Sequence, residues 1–470
     1  MKKYFTQKIS IAPLAVFRAL FGFIMLVSTI RFAAMGWISD LYIKPDFFFT
    51  YYGFDWIAPL GGTGMYLVFA IMGLAALLMM LGWHYRVASV LFFLTFSYVE
   101  LLDKTNYLNH YYFVSIISFL LMLVPAHRSF SLDVLRKPEL KVDKVPAWMI
   151  NIFKLQLGIV YFYAGAAKLN PDWLLNAMPM KIWLPAKAHL PIIGWLLEYD
   201  ITAYLFSWAG AFYDLTIAFF LLYKPTRIAA YFSVIVFHLM TYFLFQIGMF
   251  PFIMILSTLI FFSADFHKAL IQKTKTTWQF LVEGFPIKVQ KSTSSDNQQG
   301  TTALQLSTKA SGLLGAIIGI HFLLQVFLPL RFALYPGNVF WTEQGYRFSW
   351  RVMLMEKAGY AVFNVYNPAT ERSWEVANWE HLTENQEKMM ATQPDMILQY
   401  AHYLEDHYQE QGISDVKITV QSKVTLNGRR SRSMIDPDVD LTTIERGFAH
   451  KNWVLPYPET QQSWFNRSTE

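Results

Sequence analysis

The chain has 470 residues, 54% of them hydrophobic and 17% aromatic, with only 15% charged and a formal charge of +6. A soluble domain carries about 25% charged residues, so this balance, with a mean hydropathy of +0.30, excludes a wholly soluble protein and puts much of the chain in lipid. Having no cysteine excludes disulfides, thiolate metal sites and thiol nucleophiles, and the basic excess fits cytoplasmic loops of a membrane protein better than a nucleic-acid binder.

In chain order, MKKYFTQK leads directly into an apolar stretch too long for a signal-peptide core, so the first span is expected to be retained. Nine stretches approach the length of about 20 apolar residues that crosses a bilayer. They lie near 11–33, 62–82, 87–102, 110–124, 148–167, 201–222, 228–246, 249–263 and 311–330. The third, fourth and eighth are short, which leaves re-entrant or partly buried helices open there. With Lys2, Lys3 and Lys8 in the cytoplasm, the inner loops collect Arg86, Arg128, Arg136, Lys137, Lys141, Lys144, Lys224, Arg227 and the lysines of 268–309. The outer loops hold few cations, Lys44, Lys104, Lys168, Lys181 and Lys187 among them, and this is a positive-inside bias. The segment from about 331 onward is then extracytoplasmic.

The turn from Leu102 to His110 falls on the outer side, with Asn109 and His110 where a loop enters the fourth span. Such a histidine reads as a capping or interfacial residue, or as part of a site. Lys168 closes the run GIVYFYAGAAK at the same depth, after the small residues Ala164, Gly165, Ala166 and Ala167. Two readings stay open for it. It is a snorkelling lysine at a helix end, or an amine shielded by a closely approaching helix and able to act as a base. Asp214 and His238 lie within later spans, where a polar group needs a partner, and His321 in the last span raises the same question.

Residues 272–310 read as a polar cytoplasmic linker. Beyond the last span, GYAVFNVYN and SWEVANW alternate like strands around the turn Asn367-Pro368-Ala369-Thr370. The stretch 383–411 has helical periodicity with Ile397, Tyr400, Ala401 and Leu404 on one face, and VKITVQSKVTL alternates again. The expected fold is a polytopic α-helical membrane protein with a C-terminal extracytoplasmic α/β domain. Its parts are a membrane domain over 1–271, the linker 272–310, a final span 311–330 and the outer domain 331–470. Among the histidines, only His402 and His407 lie close together, five apart and without ligand spacing, so no metal is expected. Phosphate-cradling loops, a GxSxG elbow and dinucleotide fingerprints are missing from the sequence.

Five segments in order, LLDKTNYLNHYY, YFYAGAAKLNPDWL, FHLMTYFLFQIGMF, WTEQGYRFSWRVM and DPDVDL, resemble the vitamin K-dependent gamma-carboxylases and their bacterial relatives with the HTTM membrane domain. The resemblance runs from about residue 10 to residue 455. It implies reduced vitamin K or menaquinol (a naphthohydroquinone), O2 and CO2 as co-substrates, with a glutamate in a protein or peptide as acceptor and no metal. Carried over by position, Lys168 is the family's catalytic base and Asn109 with His110 its functional pair. Tyr346 and Trp341 of the aromatic motif, and His238, are the expected cofactor contacts. In the family's scheme the lysine deprotonates the hydroquinone, whose anion adds oxygen and rearranges to a strongly basic alkoxide. The alkoxide removes a glutamate γ-hydrogen, the carbanion attacks CO2, and the quinone leaves as an epoxide. Animal members join their membrane and soluble parts by a disulfide, which this cysteine-free chain lacks. Two alternatives stand beside this one: quinol epoxidation without protein carboxylation, and a non-catalytic transporter or assembly protein. In the last case Lys168 is exposed or salt-bridged, and Asp214 and His238 line a through-path. The expected location is a bacterial inner membrane with the N-terminus in the cytoplasm.

Overall fold

The computed structural model describes residues 7–245, 247–283, 304 and 308–457. Among them, seven helices are long and apolar enough to cross a membrane, or eight if one bent pair is a single span. In chain order the helices that matter here are α1 (Ala12–Ala34), α2 (Gly61–Leu81), α3 (Tyr85–Leu102) and α4 (Asn109–Leu123). They are followed by α5 (Trp148–Ala167), α6 (Asp200–Leu222), α7 (Arg227–Phe245), α8 (Phe250–Thr258), α9 (Ala264–Glu283) and α10 (Thr308–Phe327).

Each of the nine apolar stretches contains helix, but among the described residues seven or eight of them, not nine, are long enough to cross. The third is a full helix of 18 residues, while α4 has only 15. The eighth ends at Phe261 and turns by 118° into α9. The turn has a plain cause: Asp265, Lys268, Lys273 and Lys275 follow at once, and a charged helix does not continue into hydrocarbon. The proposed linker therefore begins as helix up to Glu283, and its remainder, apart from Leu304 and the start of α10, lies outside the described residues.

Short β pairing fixes one end of the bundle. β1 (Lys8–Ser10) pairs antiparallel with β2 (Lys144–Pro146), and the Leu304 N–H donates to the Lys144 carbonyl at 3.0 Å. The soluble domain sits at the other end, on the turn between α3 and α4. There Gln386 Nε2 donates to Asp103 Oδ2 at 2.9 Å, and Lys104 pairs with Asp395 at 2.9 Å.

That domain is a four-stranded antiparallel sheet in the order β4-β3-β5-β6. Its strands are β3 (Lys357–Asn367), β4 (Arg372–Glu375), β5 (Lys417–Leu426) and β6 (Arg432–Ser433). Alternation buries Ala361, Phe363 and Val365 of β3 and Ile418, Val420 and Val424 of β5 on one face. Ile397, Tyr400, Ala401 and Leu404 are fully buried in the same core. The single helix expected over 383–411 is in fact two, α11 (Glu384–Met390) and α12 (Pro394–Glu410). Pro394 explains the break: it cannot donate to a preceding turn and holds Gln393 extended, yet suits the first position of a new helix.

Candidate functional site

Lys168 caps the C-terminus of α5 and is 5% exposed. The small-residue patch before it lets α6 come close, since a Cβ on Gly165 would stand 2.7 Å from the Leu215 backbone nitrogen. That approach brings Asp214 to the lysine, with Nζ to Oδ2 at 2.7 Å and both side chains buried. Nζ also donates to the Ala164 carbonyl at 3.3 Å and lies 5.2 Å from the centre of the Trp173 ring. The residues after the lysine build this setting. Asn170 caps the short helix Pro171–Leu174 through the Trp173 N–H at 3.0 Å, and the Trp173 indole donates to the Ser207 carbonyl at 2.6 Å. Asp172 reaches outward to Arg429 and Asn427 of the soluble domain. Of the two sequence readings, a snorkelling lysine and a shielded amine, the burial agrees with the second, and the ion pair adds a partner that reading did not name. Either charge alone is costly in an apolar setting, and together they satisfy each other.

Lys168 stands in the wall of a cavity of about 500 Å³ between α5, α6, α7 and α8. Its walls are mostly apolar and aromatic, and its ionisable side chains are Tyr161, Lys168, Tyr213, Asp214 and His238. Tyr161 Oη lies 3.1 Å from His238 Nε2, while the buried His238 Nδ1 has no hydrogen-bond partner. Leu205, Phe232 and Val236 line the cavity and are also 55%, 67% and 47% exposed on the bundle surface. The cavity therefore opens sideways between α6 and α7. Among the described residues its lining stays in one part of the bundle, beginning at Val160 on α5 and Phe232 on α7 and ending at Asp214 on α6.

His110 does not line the cavity but touches its wall. Its ring centre is 5.4 Å from that of Phe250, which is itself 5.7 Å from His238. Asn109 has a different task. Its Nδ2 donates to the Arg351 carbonyl at 3.1 Å, its Oδ1 accepts from the Tyr107 hydroxyl at 3.1 Å, and that hydroxyl accepts the Phe348 N–H at 2.8 Å. These bonds hold an irregular segment, 341–353, in which Glu343, Gly345, Phe348, Trp350 and Met353 all have φ between 52° and 83°. Four non-glycine residues in that region store strain that the surrounding contacts must hold. Trp350 stacks on Tyr112 at 4.8 Å. The segment ends with Val352 and Met353 in the cavity wall. Tyr346 packs on Phe340, and buried Trp341 donates to the Leu455 carbonyl at 2.9 Å. Neither is among the residues lining this cavity.

The first half of the segment walls a second cavity of about 360 Å³, between the Tyr51–Phe54 loop and the soluble domain. Five cations line it, Lys104, Arg331, Arg347, Arg446 and Lys451, against the carboxylates of Glu343 and Asp395. Burial pushes the Lys104 amine down to about 8 against the pull of Asp395. Burial also works against the Asp395 carboxylate, but Arg347 and Lys104 outweigh it and hold the group well below the usual carboxylate range. Glu343 is paired with Lys357 at 2.9 Å.

The structure thus brings Lys168 and His238 to one cavity, sets His110 behind its wall, and uses Asn109 to hold the segment that closes it. Sequence reasoning missed three members, Tyr161, Trp173 and Phe250. Tyr161 had a legible signal, being two helical turns before Lys168 and so on its face. Among the described residues, no three His, Cys, Asp or Glu side chains gather as metal ligands. Against known proteins, the family model of the HTTM domain matches residues 6–266, more than half of the chain. The model described as vitamin K-dependent gamma-carboxylase, lumenal domain, matches residues 310–460. No solved structure matches the chain.

Proposed function

The chain belongs to the vitamin K-dependent gamma-carboxylase family, and on that premise we propose that it oxygenates a naphthohydroquinone to the epoxide and uses the reaction to add CO2 to a glutamate in a protein or peptide. The observation that carries this reading is the position of Lys168, an amine in the wall of an otherwise apolar cavity of about 500 Å³. That volume lies in the range of pockets that enclose small ligands. The sideways opening suits a lipid-borne quinol such as reduced vitamin K or menaquinol, whose ring enters while its tail stays in the bilayer.

Each residue then has a role. Lys168 is the base that takes the quinol proton, in a setting where excluded water protects a strongly basic alkoxide. His238, its Nε2 engaged by Tyr161, contacts the quinone from the cavity wall. His110, behind Phe250, completes the catalytic group, with Asn109 holding the strained segment in place. Tyr346 and Trp341 support that segment from the soluble side. The cation-rich second cavity, walled by the other half of the same segment, receives the acceptor's carboxylate.

The protein sits in a bacterial inner membrane, with its N-terminus cytoplasmic and the domain from about residue 331 outside. A transporter reading fits less well: Lys168 is salt-bridged, as that reading requires, but among the described residues the lining of the cavity holding Asp214 and His238 stays in one part of the bundle. Epoxidation without carboxylation remains a separate outcome of the test. Purified protein is given reduced vitamin K or menaquinol, O2 and labelled CO2, with a glutamate-rich peptide as acceptor. Epoxide and acid-stable label are assayed separately. Both are expected; epoxide without label supports the narrower activity, and neither product refutes the reading.

A further inference from the structure

We propose that Asp214 is the final acceptor of the proton that Lys168 takes from the quinol, so that the base is the Lys168–Asp214 couple and not a lone neutral lysine. This rests on the reading of Lys168 as the base. At 2.7 Å, with side chains only 7% and 8% exposed, the two groups form a charge-assisted bond shielded from water. An ammonium has three donors and no lone pair, so a resting Lys168 ammonium cannot accept a proton by itself. It can pass one on. An Nζ–H proton moves to Asp214 Oδ2, and the lone pair this frees, turned toward the quinol about the Cε–Nζ bond, takes the quinol O–H proton. The neutral ion pair and neutral quinol become a quinol monoanion, an ammonium and a neutral carboxylic acid, and atoms and charge balance.

The geometry favours this route in two ways. Asp214 is the sole carboxylate among the described residues lining the cavity; the other ionisable side chains there are Tyr161 and Tyr213, His238 and the lysine itself. Asp214 and the Ala164 carbonyl engage two of the three ammonium donors, which leaves one for the quinol oxygen. After transfer the lysine still carries its charge beside the new anion, where a fixed cation in a dry site stabilises it most.

Asp214→Asn separates the two mechanisms, because their expectations are opposite. Without its carboxylate, a buried lysine favours the neutral amine. If a neutral lysine were the base, the variant would keep or gain epoxidation at neutral pH. The couple instead requires a fall of about 100-fold or more, with unchanged affinity for the oxidised quinone measured by tryptophan quenching, and partial recovery in Asp214→Glu. Retained activity in Asp214→Asn overturns the proposal. A second measurement needs no turnover and no variant. Wild-type protein binds quinol without oxygen, and infrared difference spectroscopy follows the protonated-carboxyl band. The band is expected to appear on binding, and its absence overturns the proposal even if Asp214→Asn does not fold. The wild type and Lys168→Ala serve as controls. If wild type forms no epoxide, or Lys168→Ala forms as much, it is the reading of Lys168 as base that has failed.

Discussion

Lys104 shows how strongly burial alters a cation at the junction of the two domains. It is 4% exposed, and its amine is pushed down from 10.5 to about 8. Because the folded value lies below the unfolded one, the unfolded chain binds more protons between about 8 and 10.5, and this group's contribution to stability rises with pH across that window. The functional consequence has the opposite sign. As pH rises through about 8 the second cavity loses one of its five cations, so its hold on a carboxylate weakens. Titration calorimetry with a short glutamate-rich peptide is expected to show affinity falling between about pH 7 and pH 9, and Lys104→Met is expected to remove most of that dependence. Affinity that stays constant over this range in the wild type would argue against an anion site there. Asp395 behaves as the complement: its depressed value keeps its contribution to stability in place above the unfolded value of 3.8, to be lost only as pH falls well below it.

Among the elements, α5 and α6 meet at Gly165, and their spacing sets the Lys168–Asp214 distance. Gly165→Val is expected to force the helices apart at an overpacking cost of about 1–3 kcal/mol. Epoxidation should fall much further than thermal stability, and equal loss of both would mean that the contact is structural only. Asp172 ties the short helix after Lys168 to Arg429 and Asn427, and the ion pair is mostly buried. Asp172→Ala removes the charge-assisted bonds to Arg429, at a cost of about 1.5–3 kcal/mol, read as faster proteolysis of the soluble domain in detergent. Elements with a local period were legible in the sequence: the β3–β4 hairpin, β5 and the buried face of α12 all follow from alternation or helical spacing. The break at Pro394 was missed because helical periodicity outweighed one proline. The Lys168–Asp214 pair was not legible, because Asp214 is 46 residues away and spacing within α6 does not say which helix its carboxylate meets. The strained segment 341–353 was read as a motif, but its path into the cavity depends on non-local contacts to Tyr107, Asn109 and Tyr112.

For the whole molecule, β1, β2 and Leu304 gather at one end of the bundle and the soluble domain at the other. With these at opposite ends, a cytoplasmic N-terminus, as the positive-inside bias proposes, would put the soluble domain outside. A phosphatase reporter that works only outside the cytoplasm is expected to be active when fused after Glu470; an inactive fusion would mean that α4 or α8 does not cross. The positions of the helices were legible from apolar length, but their number was not, seven or eight long enough to cross among the described residues against the nine expected, and neither was the 118° turn at Phe261, since hydropathy does not register direction. The central claim is that Lys168 starts quinol oxygenation, and its most direct test is epoxide formation by Lys168→Ala with and without a small exogenous amine. The variant is expected to fold and bind oxidised quinone but to form no epoxide, and added amine should restore part of the activity. His110→Ala, whose role is not that of a base, should gain nothing from the amine. Wild-type epoxide formation by Lys168→Ala, without any amine, would contradict the account.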